Sequence, residues 1–394
     1  MKIYEIGTGY TPIPAKRGAA TEIVVEELTR VFIRHGLPAV IVDIAAPDRG
    51  DFDLPVEEVP VPPAFSGTDV QLGLLHKAKR VVYSTALAGT LKRLIRGQRG
   101  RIILHFHNQY NMFFFLMLTP GYLRRRCLLA YTNHSYIWHG DWDRIAGDIR
   151  KKYFQEVYCM RHADRVYVLN GNTEKNIREH LGIPGERIVR TDNGVNTERY
   201  RPLSEKEKEL AREKYSLKGK KVFLQVGSVC DRKNQLGALQ LLEPVLKKNR
   251  DAVFVYAGGL ISGEYQDSIL AFAASRGLED QVRYLGELEP GEGLNELYNT
   301  AEALVFPSRA EGFSLVILEA MSAGVPVLIP DTLEFRLADE CIRYGDAGDF
   351  GKLTEEMILD EDRQRDLSGK ARRAVLKEYS WERIAAAYYR SWRK

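Results

Sequence analysis

Short apolar runs alternate with longer helical stretches along most of this chain, and the alternation occurs twice. In the first half, strands are predicted at residues 2–7, 39–44, 80–84, 101–106, 128–132, 165–169 and 187–191. Residues 19–35 between the first two read as an amphipathic helix. Alternation of this kind argues for a parallel sheet with helical crossovers. A Lys/Glu-rich stretch at 204–221 then reads as a charged helix and linker. Beyond it, strands are predicted at 222–226, 252–256, 282–285, 303–306 and 326–329, with helices at 234–248, 265–276, 293–300 and 314–323. At 394 residues the chain is too long for one average domain. The pattern predicts an α/β protein of two doubly wound Rossmann-like domains, 1–200 and 201–378. An aromatic, basic helix at 379–394 follows, whose Trp381, Tyr388, Tyr389 and Trp392 need a surface to bury against.

Bulk properties remove several function classes. A hydrophobic fraction of 44% and a charged fraction of 28% are those of an ordinary water-exposed globular protein. The net charge of +4 is too small to imply nucleic acid, and none is expected as a partner. Met1 runs straight into a strand with no signal-peptide pattern. The longest apolar run of note, 113–118, is far below the ~20 residues needed to span a bilayer. Cys127, Cys159, Cys230 and Cys341 are scattered without a CxxC pair, so reduced, structural thiols and a cytoplasmic location are expected.

One segment points to chemistry. From Glu311 the chain reads EGFSLVILEAMSAGVPV, with a second acid at Glu319. Leu315 to Leu318, Ala320 and Met321 leave no polar face, so the helix they form is expected to be buried. A lone Glu319 inside it is costly unless bonded or paired. Gly324 and Pro326 stop the helix before a strand. A helix that starts near Ser314, just after a strand, and carries an acid wanting a hydroxyl or a cation fits a nucleotide site in an open α/β sheet.

These residues resemble a known family. Val282 to Gly286 (VRYLG), Leu304 to Ser308 (LVFPS) and the segment from Glu311 are similar to the C-terminal half of retaining GT4-type glycosyltransferases, which have the GT-B fold. The likeness extends upstream to Ala163–Asn170 (ADRVYVLN) and Thr191–Pro202 (TDNGVNTERYRP), which match that family's inter-domain region. It also reaches the final helix, which in the family crosses back onto the N-terminal domain. The resemblance implies a nucleoside diphosphate sugar in an inter-domain cleft and transfer to an acceptor hydroxyl, with no cofactor and no catalytic metal. The expected activity is a hexosyl- or N-acetylhexosaminyltransferase of glycan, glycolipid or glycosylated-metabolite biosynthesis.

The resemblance also assigns roles. Glu319 is expected to accept hydrogen bonds from ribose hydroxyls, and Glu311 to contact the donor sugar. Backbone N–H groups of Phe313, Ser314 and Leu315 are expected to hold the diphosphate at a helix N-terminus. Lys233 is the expected diphosphate cation. The family's neighbouring Arg is replaced here by Ser228, and Arg232 is close enough in sequence to substitute. His134 resembles the family's cleft histidine beside the reacting carbon. Gly286 lies where backbone groups recognise the base. Gly18, with Lys16 and Arg17 beside it, belongs to a loop expected to close over the diphosphate. That loop is not GxGxxG, since Pro12 takes the third glycine's place, so a dinucleotide reading is weak.

Other strings are read more plainly. His105 and His107 alternate and so share one face of a strand. No Cys or third His with zinc spacing accompanies them, and His107 and Asn108 are candidates for the cleft. Asp51/Asp53 and Asp141/Asp143 are Asp-x-Asp pairs that follow no confident strand, and both are read as incidental. Arg124, Arg125 and Arg126, with Arg144, Arg150, Lys151 and Lys152 and the apolar 113–118, suit an anionic or lipid-linked acceptor or a peripheral membrane contact at the inner face. The blander reading is a buried helix with a solvated basic flank. Two other functions fit the same domains: a GT-B-like sugar-nucleotide epimerase, and a sugar-nucleotide-binding protein without catalysis.

Overall fold

The computed structural model describes residues 1–14, 20–47, 49–50, 52–65, 74–311, 313–333, 337 and 340–393. The chain divides into two compact units. One takes residues up to Asn193 together with those from Trp381 onward, and the other takes Gly194–Ser380.

The first unit is built on β1 (Lys2–Ile6), β2 (Ala39–Ile44), β3 (Val56–Val59), β4 (Ile102–Phe106), β5 (Cys127–Thr132), β6 (Arg165–Val168) and β7 (Ile188–Arg190). Their order is β3-β2-β1-β4-β5-β6-β7, and the neighbours pair parallel. The order reverses between β1 and β4, where Glu5 lies beside His105 in register. Successive residues of a strand face opposite sides, so both faces must be covered. Tyr4, Ile6, Leu104 and Phe106 pack on one side with the helix Leu74–Gly97. Ile3, Ile103, Ala130 and Tyr167 pack on the other with the helices Ala20–Arg34 and Trp381–Arg393. The final helix thus buries Trp381, Tyr388 and Trp392 in the first unit's core, with the Trp392 ring 5.2 Å from that of Phe32. Tyr389 is only partly buried there.

The second unit is built on β8 (Lys221–Val226), β9 (Ala252–Ala257), β10 (Val282–Tyr284), β11 (Ala303–Val305), β12 (Val327–Pro330) and β13 (Ile342–Tyr344). Their parallel order is β10-β9-β8-β11-β12-β13. Here the reversal falls between β8 and β11. A strand order of this form places a crevice at the reversal, outside the carboxyl ends of the strands.

Several predicted elements are corrected. Residues 80–84, predicted as a strand from their β-branched and aromatic content, lie inside the helix Leu74–Gly97. Tyr83, Leu87, Leu91 and Ile95 recur every fourth residue and are all buried. That stripe, not local propensity, decides the segment. The edge strands β3 and β13 and the helices Ala347–Leu359 and Glu361–Glu378 had no counterpart in the prediction. No helix among the described residues is long and apolar enough to cross a membrane.

Replacing Trp392 with Ala empties a fully buried indole site and should destabilise the first unit by about 3–5 kcal/mol. A urea titration followed by far-UV circular dichroism checks this; an unchanged midpoint would show that the final helix is not part of that core.

Candidate functional site

In the second unit, the turn after β8 brings its cations to the point of strand reversal. Gly227 has φ +143°, and a Cβ on it would lie 3.3 Å from Cε of Lys233, which crosses it. A Cβ on Gly258 would strike the Gly227 carbonyl at 2.1 Å, so these turns pack backbone on backbone. Gln225 Nε2 donates to the Lys233 carbonyl at 2.7 Å, and Arg309 N donates to that of Arg232 at 3.0 Å. The turn is thereby tied to the segment that follows β11.

Lys233 and Arg232 converge on one carboxylate oxygen. Lys233 Nζ lies 2.8 Å and Arg232 Nη1 3.0 Å from Glu311 Oε1, and Arg232 Nη1 also donates to the Ala310 carbonyl at 3.0 Å. The Lys233 and Glu311 side chains are only 12% and 11% exposed, so neither is a solvated surface charge. Two cations thus share one carboxylate oxygen in a charged cluster. It lies just ahead of the helix Leu315–Ser322, whose N-terminus is positive. Ser314 sits at the N-cap, but its side chain makes no cap hydrogen bond, and its buried Oγ has no partner among the described residues. Ser228 is half-buried and carries no charge into the site; its carbonyl accepts from Gln235 Nε2 at 3.0 Å. Gly286, with φ +75°, follows β10, and its carbonyl accepts from Gly258 N at 2.8 Å.

Glu319 lies within the apolar helix as expected and is 6% exposed. Its partner is a hydroxyl of the fold itself: Tyr298 OH donates to Oε2 at 2.8 Å. Burial pushes the carboxyl up to about 7, against the pull of Tyr298, Tyr200 and the Arg199 charge.

In the first unit, Glu5 of β1 is fully buried, and sequence reasoning missed it. His105 Nδ1 lies 3.0 Å from its Oε1, and His107 Nε2 lies 2.9 Å from Oε2. His107 Nδ1 in turn lies 3.0 Å from Nε2 of His134, in the loop after β5. That loop is pinned from below by Glu156, a second acid missed from sequence. Glu156 accepts from Tyr131 OH at 2.7 Å, Asn133 Nδ2 at 2.9 Å and Trp138 Nε1 at 2.7 Å. Burial pushes His105, His107 and His134 down to about 3, so all three rings are neutral near pH 7, and it raises Glu5 above the ordinary carboxylate range. Glu5, His105 and His107 are also the only cluster of metal-ligand type among the described residues. Their facing atoms are already used in hydrogen bonds, and none of the three is open to solvent.

The remaining candidates fall into structural roles or outside the described residues. Asn108 caps the helix Gln109–Leu118, accepting from Tyr110 N at 2.9 Å, and is nearly buried. Asp141 caps the helix Trp142–Lys152, accepting from Asp143 N at 2.9 Å, and Asp53 pairs with Arg30. Gly18, Lys16, Arg17 and Asp51 lie outside the described residues.

The sequence and the two-sheet fold both have parallels among known proteins. A model of glycosyltransferase family 4 matches residues 21–199, and a model of glycosyl transferases group 1 matches residues 207–373. This chain belongs to the GT4-type glycosyltransferases. It is 32% identical over 203 residues to the O-antigen chain mannosyltransferase B of Escherichia coli, a match covering 50% of this chain and 52% of that protein. It is 26% identical over 206 residues to a GDP-mannose-dependent alpha-(1-6)-phosphatidylinositol monomannoside mannosyltransferase of Mycobacterium tuberculosis, covering 49% and 52%. The chain thus spans about half the length of each of these relatives. Among solved structures, sucrose-phosphate synthase of Thermosynechococcus elongatus superposes with TM-score 0.78 at 19% identity, over 100% of this chain and 98% of that one. The Anabaena protein Alr3699/HepE in complex with UDP and glucose superposes with TM-score 0.74 at 15% identity, over 100% and 99%. The GT4-type chain described here therefore has the GT-B fold.

The raised Glu319 carboxyl gives a signed pH dependence. Between about 4.5 and about 7 the folded chain binds more protons at this group than the unfolded chain does. Its stabilising contribution is therefore full below about 4.5 and is lost as pH rises through about 7. Across that window the wild type should lose on the order of 3 kcal/mol relative to Glu319→Gln. Urea unfolding of both proteins at the two ends of the window reads the difference, and parallel profiles would contradict it.

Proposed function

We propose that this protein is a retaining glycosyltransferase that moves a sugar from a nucleoside diphosphate sugar to an acceptor hydroxyl. The observation that carries the proposal is the convergence of Lys233 and Arg232 on Glu311 at the strand reversal of the second unit, ahead of an uncapped helix N-terminus. Negative charge builds on the leaving diphosphate as the anomeric C–O bond breaks, and fixed cations and N–H groups stabilise it there. In this reading Lys233 and Arg232 hold the diphosphate, with Arg232 supplying the charge that Ser228 does not. The N–H groups of Phe313, Ser314 and Leu315 complete that contact. Glu319 takes the ribose hydroxyls, Gly286 the base and Glu311 the sugar, while His134 meets the sugar near the reacting carbon. The acceptor oxygen attacks on the face the diphosphate leaves, and the departing phosphate oxygen takes its proton. The cations serve the leaving group, so the proposed reaction runs without a catalytic metal.

GDP-mannose is the first donor to test, because the Mycobacterium relative is named for it and the Escherichia relative is named as a mannosyltransferase. The acceptor is proposed to be anionic or lipid-linked, met at the inner face of a membrane from the cytoplasm. Met117 (60% exposed), Leu118 and Tyr122 (58%) form an apolar tip beside Arg124, Arg125 and Arg126. Exposed apolar side chains close in sequence to arginines suit an anionic lipid surface. Co-sedimentation with vesicles should show binding to anionic but not zwitterionic lipid, weakened by salt; equal recovery with both would remove the membrane from the proposal.

The function is tested by thermal shift and turnover. One of the UDP-, GDP- and ADP-sugars should raise Tm and support transfer, with the donor's anomeric configuration kept in the product by proton NMR. Lys233→Ala should lower kcat/KM by about 100- to 1000-fold, the usual cost of losing one transition-state charge contact. Ser228→Arg should restore much of what Arg232→Ala loses. Donor conversion without any acceptor would favour an epimerase, and binding without turnover across an acceptor panel would favour a non-catalytic binder.

A further inference from the structure

Glu5 does nothing in the proposed reaction, yet it is fully buried beneath the histidine that does. Its surroundings fix more than a position, because each hydrogen bond in the chain constrains the next. Ionised, Glu5 has acceptors only, and its hydrogen bond with His107 favours that form against the burial that raises its affinity for a proton. His105 Nδ1 and His107 Nε2, at 3.0 and 2.9 Å, must then both donate to Glu5. A neutral imidazole carries one N–H, so each ring's second nitrogen is left as an acceptor. For His105 that acceptor is Nε2, 2.7 Å from Thr132 Oγ1, which can donate to it. Thr132 Oγ1 then accepts from Tyr388 OH, 3.2 Å away. This branch closes with every hydrogen used once.

The other branch leads to His134. With its hydrogen on Nε2, His107 offers Nδ1 as an acceptor, 3.0 Å from His134 Nε2. His134 Nε2 must therefore carry that ring's hydrogen. Its Nδ1 is left as a bare lone pair with no hydrogen-bond partner among the described residues. We propose that Glu5, acting through His107, holds His134 in the Nε2–H tautomer, so that His134 Nδ1 accepts a hydrogen bond from a substrate hydroxyl. The substrate half of this rests on the placement of His134 at the donor sugar proposed above; the tautomer half does not. Glu5 and His107 are positioning residues.

The geometry supports a hard-set tautomer. The carboxylate has no competing cation, since no Lys or Arg pairs with it among the described residues. Burial keeps the rings neutral, so no second N–H blurs the direction. The Tyr388 and Trp392 rings, 5.0 and 5.7 Å from that of His105, close the network from the final helix. A histidine whose second nitrogen is engaged this way is fixed in both tautomer and orientation.

The test uses the whole chain labelled with ¹⁵N-histidine, without ligand, at neutral pH. Long-range ¹H–¹⁵N correlation distinguishes protonated from bare ring nitrogens, and His134→Asn assigns the His134 signals by their loss. The expected wild-type pattern is a protonated Nε2 and a bare Nδ1. In His107→Leu the His134 signals should move toward averaged tautomers, while His107→Asn, whose amide oxygen can accept from Nε2–H, should keep them fixed. Glu5→Leu should likewise move the His134 signals toward averaged tautomers, and where that variant fails to fold the two His107 variants carry the test. In turnover, His107→Leu should lower kcat/KM by about tenfold or more, the scale seen when a group orienting a functional histidine is lost, and His107→Asn should recover most of it. A proton on His134 Nδ1 in the wild type, or an unchanged tautomer in His107→Leu, overturns the proposal at Glu5. The expected tautomer together with undiminished transfer by His134→Asn overturns instead the placement of His134 at the sugar, and the substrate half with it.

Discussion

A parallel sheet delivers the carboxyl ends of all its strands to one edge, and where the strand order reverses, two neighbouring crossovers leave in opposite directions. The groups singled out here are arranged by that constraint. In the second unit Lys233 and Arg232 follow β8 and Glu311 follows β11, the two strands that flank the reversal. In the first unit the equivalent pair is β1 and β4, which carry Glu5 and His105, with His107 just past the end of β4 and His134 one strand further on. No long loop has to reach across the fold to assemble either cluster. Short turns from adjacent strands suffice, and glycines at 227 and 258 let those turns pack backbone against backbone.

Both units bury acids, and the way each acid is satisfied explains its neighbours. An ionised carboxylate moved out of water is costly unless its lone pairs are filled. Glu156 is met by three neutral donors, Glu5 by two imidazoles and Glu319 by a tyrosine hydroxyl. None of these partners brings a full charge, so none competes with a ligand for electrostatic work. Glu311 is different: it is held by two cations at the strand reversal. Buried acids elsewhere also meet arginine, as Asp43 does with Arg49 and Glu302 with Arg212, but Glu311 is the one that two cations share at the reversal.

Glu319 was legible in the sequence because a single acid in an otherwise apolar helix is an anomaly wherever that helix lies. Glu5 was not. An acid within a five-residue strand is unremarkable if the strand is at an edge, and the sequence does not say that β1 is central. The available signal was joint: an acid in the first strand and an alternating histidine pair in the fourth become partners once β1 and β4 are neighbours. Residues 80–84 failed for the opposite reason. Their local composition favours a strand, while a heptad-scale stripe from Tyr83 to Ile95 favours a helix, and the longer pattern buries more apolar surface. The two-domain alternation was legible because crossover helices and buried strands differ in period over many residues. The short edge strands β3 and β13 were not, since three or four residues carry too little pattern.

The cluster at Glu311 also bears on how a cation can move in sequence without moving in function. A guanidinium rides on a long, flexible stem, so the charge at a site is specified less by residue number than by what holds the head group. Arg232 follows Ser228 by four residues, across a turn, yet its Nη1 reaches the same carboxylate oxygen as Lys233. The Ala310 carbonyl fixes it from the other side. Glu311 therefore has a second part in the proposed reaction. Before donor binds, it holds both cations and limits their repulsion. A diphosphate with more negative charge than one carboxylate can take those contacts over and release Glu311 toward the sugar. In the proposed reaction the same acid would serve as a placeholder in the empty site and as a sugar ligand in the filled one, and Arg232, which that placeholder contacts, would supply the charge that Ser228 lacks.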